Sequence, residues 1–129
     1  MRMLVAVLAG LVCVGVAGVA GAKTTAKAKT ATPAAVTVTA VNVEYEGTKL
    51  WLPGTITVKK GSKVTIKLIN NVPSEPNQHG FAIPAYNVAE IVTRGEPKTV
   101  EFTADKAGVF PIICQLHPAH VGGQLVVLP

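Results

Sequence analysis

Between Val36 and Leu128 the large apolar residues recur at every second position in short runs, and glycine or proline breaks nearly every run. A period of two sends successive side chains to opposite faces of an extended strand, whereas a helix would need spacings of three and four. Val36 and Val38 alternate with threonines; the phase slips at Ala40-Val41 before Val43 and Tyr45 resume, which predicts a β-bulge or bend. Further strands are predicted over 55–58, 63–70, 81–83, 88–92, 98–103, 108–114 and 123–128, with Lys60-Gly61-Ser62 as a turn. Within 63–70, Val64, Ile66 and Leu68 face one way and Lys63, Thr65 and Lys67 the other; Val100 and Phe102 point inward in the same manner. No amphipathic helix of three turns is present. Seven or eight short strands punctuated in this way predict an all-β fold, an antiparallel Greek-key β-sandwich or barrel.

Ahead of that pattern the chain changes character twice. Arg2 precedes an apolar run from Leu4 to Ala20, and Ala20-Gly21-Ala22 supplies small residues of the cleavage type, so residues 1–22 are expected to be a secretory signal peptide cut before Lys23. The alternative is a retained membrane anchor, for which the run is short and rich in glycine. Cys13 raises the possibility of a lipoprotein, but Gly10-Leu11-Val12 is a poor lipobox. Residues 23–35 carry only Lys, Thr, Ala and Pro, nothing large enough to bury, and read as a flexible spacer. Cleavage would leave 107 residues, enough for one domain with one core, 36–129. The destination implied is periplasmic or secreted, with no transmembrane segment left after cleavage.

The net charge of +5 suggests a nucleic-acid partner until its location is considered. Arg2, Lys23, Lys27 and Lys29 all precede the domain; from Val36 onward eight Lys or Arg face seven Asp or Glu. A nearly neutral domain without a basic stripe excludes nucleic-acid binding.

Chemistry is concentrated in Cys114-Gln115-Leu116-His117-Pro118-Ala119-His120, which puts one thiol and two imidazoles within seven residues, between two apolar strands. His79 lies 35 residues upstream, in Gln78-His79-Gly80-Phe81. After export Cys114 is the chain's one thiol, so no intramolecular disulfide can form, and a lone thiol in an oxidising compartment is best explained by metal ligation. One thiolate with imidazoles suits copper, with zinc as the alternative. His79, Cys114, His117 and His120 are the candidate metal ligands, with Pro118 stiffening the turn between the last two.

The loop resembles the ligand loop of the cupredoxin family, in particular the short amicyanin-like form C-x-x-H-P-x-M, with His120 where that form has its axial methionine. Val58-Lys59-Lys60-Gly61, Gly80-Phe81 with Ala85 and Val88, Phe102-Thr103-Ala104-Asp105-Lys106-Ala107-Gly108 and Cys114-Gln115-Leu116-His117-Pro118 are similar to nitrosocyanin, a red copper protein of that family. Two departures separate them: His79 stands where nitrosocyanin has a glutamate ligand, and the second loop histidine comes earlier, as C-x-x-H-x-x-H. The run His79-Gly80-Phe81-Ala82-Ile83-Pro84 also resembles the copper domains of cytochrome oxidase subunit II and nitrous oxide reductase. Those binuclear centres need two bridging cysteines, so one cysteine implies a mononuclear site.

The resemblance implies first a one-electron carrier that serves a redox partner such as a cytochrome or an oxidase, and leaves the enzyme question open. Cys114 would supply the thiolate, His79 and His117 would fix the ligand plane, and His120 would tune the potential. His117 would lie nearest the surface as the electron port, flanked by Pro84, Pro118 and Val121. Chemistry on a small molecule of the nitric oxide type, copper storage or delivery, and a structural zinc site are the other readings. Tyr86 and Trp51 are expected to be packing residues. Glu75, Glu90, Glu96 and Glu101 show no paired spacing for acid–base work, and no Ser-His-Asp set or glycine-rich phosphate loop is present.

Overall fold

Each predicted alternating run forms a strand in the computed structural model, which describes residues 34–129. In chain order these are β1 (Ala35–Tyr45), β2 (Thr48–Leu52), β3 (Thr55–Lys59), β4 (Lys63–Asn70), β5 (Gln78–Ile83), β6 (Val88–Thr93), β7 (Lys98–Thr103), β8 (Gly108–Ile112) and β9 (Gly123–Leu128), with one 3₁₀ turn at Pro84–Tyr86. The signal peptide predicted over 1–22, Cys13 and residues 23–33 of the spacer lie outside the described residues; Ala35, placed in the spacer, opens β1. Among the described residues no helix is long and apolar enough to cross a membrane.

Nine strands replace the seven or eight expected, because β2 joins β1 in a hairpin that the sequence pattern concealed. Its turn residues Glu46 and Gly47 both have positive φ, 47° and 78°, the geometry that matches strand twist in a two-residue hairpin. Glutamate is an unusual first turn residue there, so the hairpin signal was weak. β1 also corrects an expectation. It runs without a bulge, in unbroken register with β4 from Ala35 to Asn42 and with β2 from Val41 to Tyr45. Ala40 and Asn42 continue the inward phase of Val36 and Val38, so Val41, Val43 and Tyr45 belong to the opposite face.

One sheet has the order β2-β1-β4-β7 and a second the order β3-β9-β8. The β5-β6 hairpin extends the second sheet, because Ala82 and Ile113 exchange N–H to O bonds of 2.9 Å in both directions. Two of the pairings are parallel, β1 with β4 and β3 with β9, so the expected purely antiparallel sandwich is a mixed one. The chain leaves the first sheet for β3 before it returns as β4, and such a crossover permits parallel pairing.

The inward faces of both sheets form a single core. Ala40, Trp51, Val64, Ile66, Leu68 and Val100 from the first meet Ile56, Phe81, Ile83, Val92, Ile112, Leu125 and Val127 from the second. Val64, Ile66 and Leu68 are at most 1% exposed, as their alternation predicted. β5 differs from the other strands. His79 to Ile83 are all buried, so both faces of this strand are covered and no alternation marks it.

Candidate metal centre

β8 ends at Ile112, and the Ala82–Ile113 pair sets Cys114 beside β5, close to His79. Two consecutive turns follow: His117 N–H donates to the Cys114 carbonyl at 3.2 Å, and His120 N–H to the His117 carbonyl at 2.9 Å. A repeat of three residues per turn stacks side chains at i and i+3. That is the physical content of the spacing C-x-x-H-x-x-H: residues 114, 117 and 120 face one side of the loop. The loop closes where Val121 N–H donates to the Lys49 carbonyl at 3.1 Å, tying it to β2.

All four predicted ligand residues meet. One donor atom from each of His79, Cys114, His117 and His120 lies within 4.8 Å of every other, the scale of two metal–ligand bonds of about 2.0–2.3 Å each. Cys114 Sγ lies 3.6 Å from His117 Nδ1. The ring centroids are 4.5 Å apart for His117–His120, 5.0 Å for His79–His120 and 5.4 Å for His79–His117. His79 and Cys114 are buried, whereas His117 and His120 are half-buried.

The electrostatics favour neutral imidazoles. Burial, followed by the neighbouring His120 and His117 and then the Lys49 ammonium, lowers the pKa of His79 from 6.5 to about 4, with Glu44 opposing. Burial first, and then His117 and Lys49, lower that of His120 also. Both rings therefore present free lone pairs at neutral pH.

These residues fit a metal on the structure's own terms. His79 Nδ1 and Nε2 and His120 Nδ1 are buried without any hydrogen-bond partner. Unpaired buried polar atoms are costly and call for an explanation, and an ion would provide it. One thiol with three imidazoles could bind copper.

The surroundings contain groups that sequence reasoning overlooked. Gly80 N–H donates to Cys114 Sγ at 3.1 Å, and Trp51 Nε1 donates to the Gly80 carbonyl at 2.8 Å. A Cβ at position 80 would stand 2.9 Å from the Gln115 backbone nitrogen, so glycine is required for this close approach. Lys49 Nζ pairs with Glu44 at 3.4 Å beside the site. The Gly80 contact had a faint signal, the H-G-F run; the others had none, since they join residues 29 or more apart or lie on the concealed β2. Trp51 is buried in the core as expected. Tyr86 packs between Phe102 and Phe110, with ring centroids 4.9 and 5.2 Å away, and donates its hydroxyl to the Lys106 carbonyl. Pro84, Pro118 and Val121 are exposed.

The chain is 51% identical over 57 residues to nitrous-oxide reductase of Cupriavidus necator and 33% identical over 75 residues to that of Pseudomonas fluorescens. These matches take in 44% and 54% of this chain but 9% and 12% of the reductases, so the chain spans about a tenth of the length of these relatives. Among solved structures it is similar to a copper nitrite reductase from Nitrosomonas europaea, with TM-score 0.60 and 26% identity over 74% of this chain and 42% of that one. Auracyanin from the photosynthetic bacterium Roseiflexus castenholzii shares the fold, with TM-score 0.60 and 20% identity over 74% of this chain and 99% of that one. Residues 10–127 match the family description of the cupredoxin-like domain, and the chain belongs to that family.

Proposed function

We propose that this protein is an exported one-electron carrier whose mononuclear copper site is made by His79, Cys114, His117 and His120. The observation that carries the reading is the convergence of four donors from two distant segments within 4.8 Å, two of them bearing buried nitrogens without partners. Copper held there supplies a Cu(II)/Cu(I) couple that takes up and gives back one electron. The residues do the rest. Cys114 provides a thiolate on a buried bed, His79 is fixed within a strand covered on both faces, and the two turns fix His117 and His120. Rigid ligands keep both oxidation states near one geometry. His117, half-buried amid exposed Leu116, Pro118 and Val121, is the port toward a partner such as a cytochrome or an oxidase.

The finer likeness belongs to this reading as well. An amicyanin-like short loop with histidine in place of the axial methionine, and a nitrosocyanin-like set of flanking residues, point to a green or red centre. A third imidazole is a stronger donor than a thioether, so it weakens the copper–sulfur bond and favours Cu(II). The test is an optical and paramagnetic resonance spectrum of the copper-loaded protein; an intense blue band with a high potential would overturn the assignment. With residues 1–22 as a signal peptide cleaved after Ala22, followed by a spacer that ends before β1 at Ala35, the protein would be exported to the periplasm or outside the cell, which mass analysis of the exported chain tests.

A second reading, chemistry on a small nitrogen oxide, has one observation in its favour. A cavity of about 300 Å³ lined by Ile113, Cys114, Gln115, Pro118 and His120 reaches two of the four donor residues. Two of the similar proteins are named for reducing nitrous oxide and nitrite. Perturbation of the copper spectrum by azide or nitric oxide would favour this reading; indifference would favour the carrier.

A further inference from the structure

In a strand the N–H and C=O of one residue point to the same edge, and those of its neighbour to the other. Ala82 spends both groups on Ile113, so Gly80, two residues earlier, directs both of its own toward that same edge. There β8 has already ended and no ladder partner remains. The two groups are taken instead by side chains: the N–H by Cys114 Sγ at 3.1 Å and the C=O by the indole N–H of Trp51 at 2.8 Å. Trp51 comes from the opposite sheet, is 2% exposed, and meets Phe81 edge-on with centroids 5.1 Å apart. On the remaining side Gln115 closes against Gly80, its Nε2 anchored on the Glu90 carbonyl at 3.0 Å.

We infer that Trp51 is a positioning residue of the metal centre: its indole N–H holds the Gly80 carbonyl so that the Gly80 N–H stays on the Cys114 sulfur. This rests on the copper reading above. A hydrogen bond to a thiolate is charge-assisted and withdraws electron density from sulfur. Hydrogen bonding around the cysteine sulfur tunes the potential of copper–thiolate sites, and a less electron-rich sulfur favours Cu(I). Trp51 thereby sets the sulfur's donor strength without touching it. A Trp51 that merely filled the core would leave the sulfur unaffected by loss of its N–H.

The test removes that N–H in two ways. Trp51→Phe deletes it together with part of the ring. Because the chain has a single tryptophan, biosynthetic replacement by 3-benzothienylalanine, with sulfur where the N–H stood, changes one group and keeps the ring shape. Both proteins are expected to show a displaced thiolate-to-copper absorption band and a lower midpoint potential than the wild type. In both, without metal, the Gly80 amide is expected to exchange with solvent about tenfold faster, the effect of losing one buried hydrogen bond of ordinary net strength. If Trp51→Phe fails to fold, the analogue-bearing protein decides alone. Wild-type band, potential and Gly80 exchange in the analogue-bearing protein would overturn the inference. If the wild type shows no thiolate band, the copper reading fails instead, and Gly80 exchange, which needs no metal, still decides whether Trp51 holds the Gly80 backbone in place.

Discussion

Ala82 and Ile113 exchange two backbone hydrogen bonds of 2.9 Å each, and this pair joins the strand carrying His79 to the segment carrying Cys114. His79 stands three residues before Ala82 and Cys114 one residue after Ile113, so the register of this bridge sets their separation. Ile113→Pro removes one of the two N–H donors while leaving all four candidate ligand residues unchanged. It is expected to cost about 1 kcal/mol of stability for the lost bond and to weaken copper binding about 10–100-fold, the range seen when groups that orient ligands are removed. Equilibrium competition with a copper chelator, beside urea unfolding of the metal-free protein, separates the two effects.

His120→Met exchanges an imidazole for a thioether at the last position of the double turn. The copper–sulfur bond is expected to strengthen, moving the colour toward blue, with the thiolate band at longer wavelength, and the potential upward. Identical spectra for variant and wild type would show that His120 does not coordinate. Cys114→Ser should remove the thiolate band altogether.

Acid should destabilise the metal-free protein in a defined window. His79 is held neutral by burial, with a pKa of about 4 when folded against an ordinary value of 6.5, and that of His120 is lowered in the same sense. Above pH 6.5 neither state binds protons at these rings, and stability is flat. As the pH falls from about 6.5 toward about 4 the unfolded chain takes up protons that the folded one refuses, so stability declines; below about 4 the contribution of His79 is fully lost. Urea midpoints measured across that window should fall, and a His79→Gln variant should flatten the slope.

Gly122 approaches the backbone of Ile112 so closely that a Cβ there would collide with the Ile112 carbonyl oxygen. Gly122→Ala is expected to cost about 1–3 kcal/mol, as overpacking against rigid backbone does, and to displace the end of the ligand loop. Thermal unfolding and copper affinity should therefore both suffer.

Leu68, fully buried in β4, and Val109, 63% exposed in β8, provide a calibration of the core. Leu68→Ala should cost about 2–5 kcal/mol and Val109→Ala no more than about 0.5 kcal/mol, read from chemical denaturation.

How far the fold was legible depended on whether a strand had one wet face. Along β4, Val64, Ile66 and Leu68 alternate with Lys63, Thr65 and Lys67 because one side packs and the other meets water. β5 escaped in part because both of its faces are buried, and Gln78-His79-Gly80 carries no alternation to show that the strand begins there. The hairpin to β2 was hidden by Glu46 at a turn position where asparagine or aspartate is the usual signal. An apparent phase slip at Ala40-Val41 suggested a bulge because small Ala40 and polar Asn42 do not look like core, yet both are 1% exposed.

From its sequence alone the chain determined an all-β domain of alternating strands and the four candidate donors, since period two and the local spacing of Cys114, His117 and His120 are properties of the chain itself. Tertiary structure decided that His79 reaches them and that its nitrogens lack other partners. It also decided that the Gly80 backbone is held between a sulfur, at its N–H, and the indole of Trp51, at its carbonyl. These facts depend on contacts between residues tens of positions apart, and such contacts exist only once two sheets have closed over a common core.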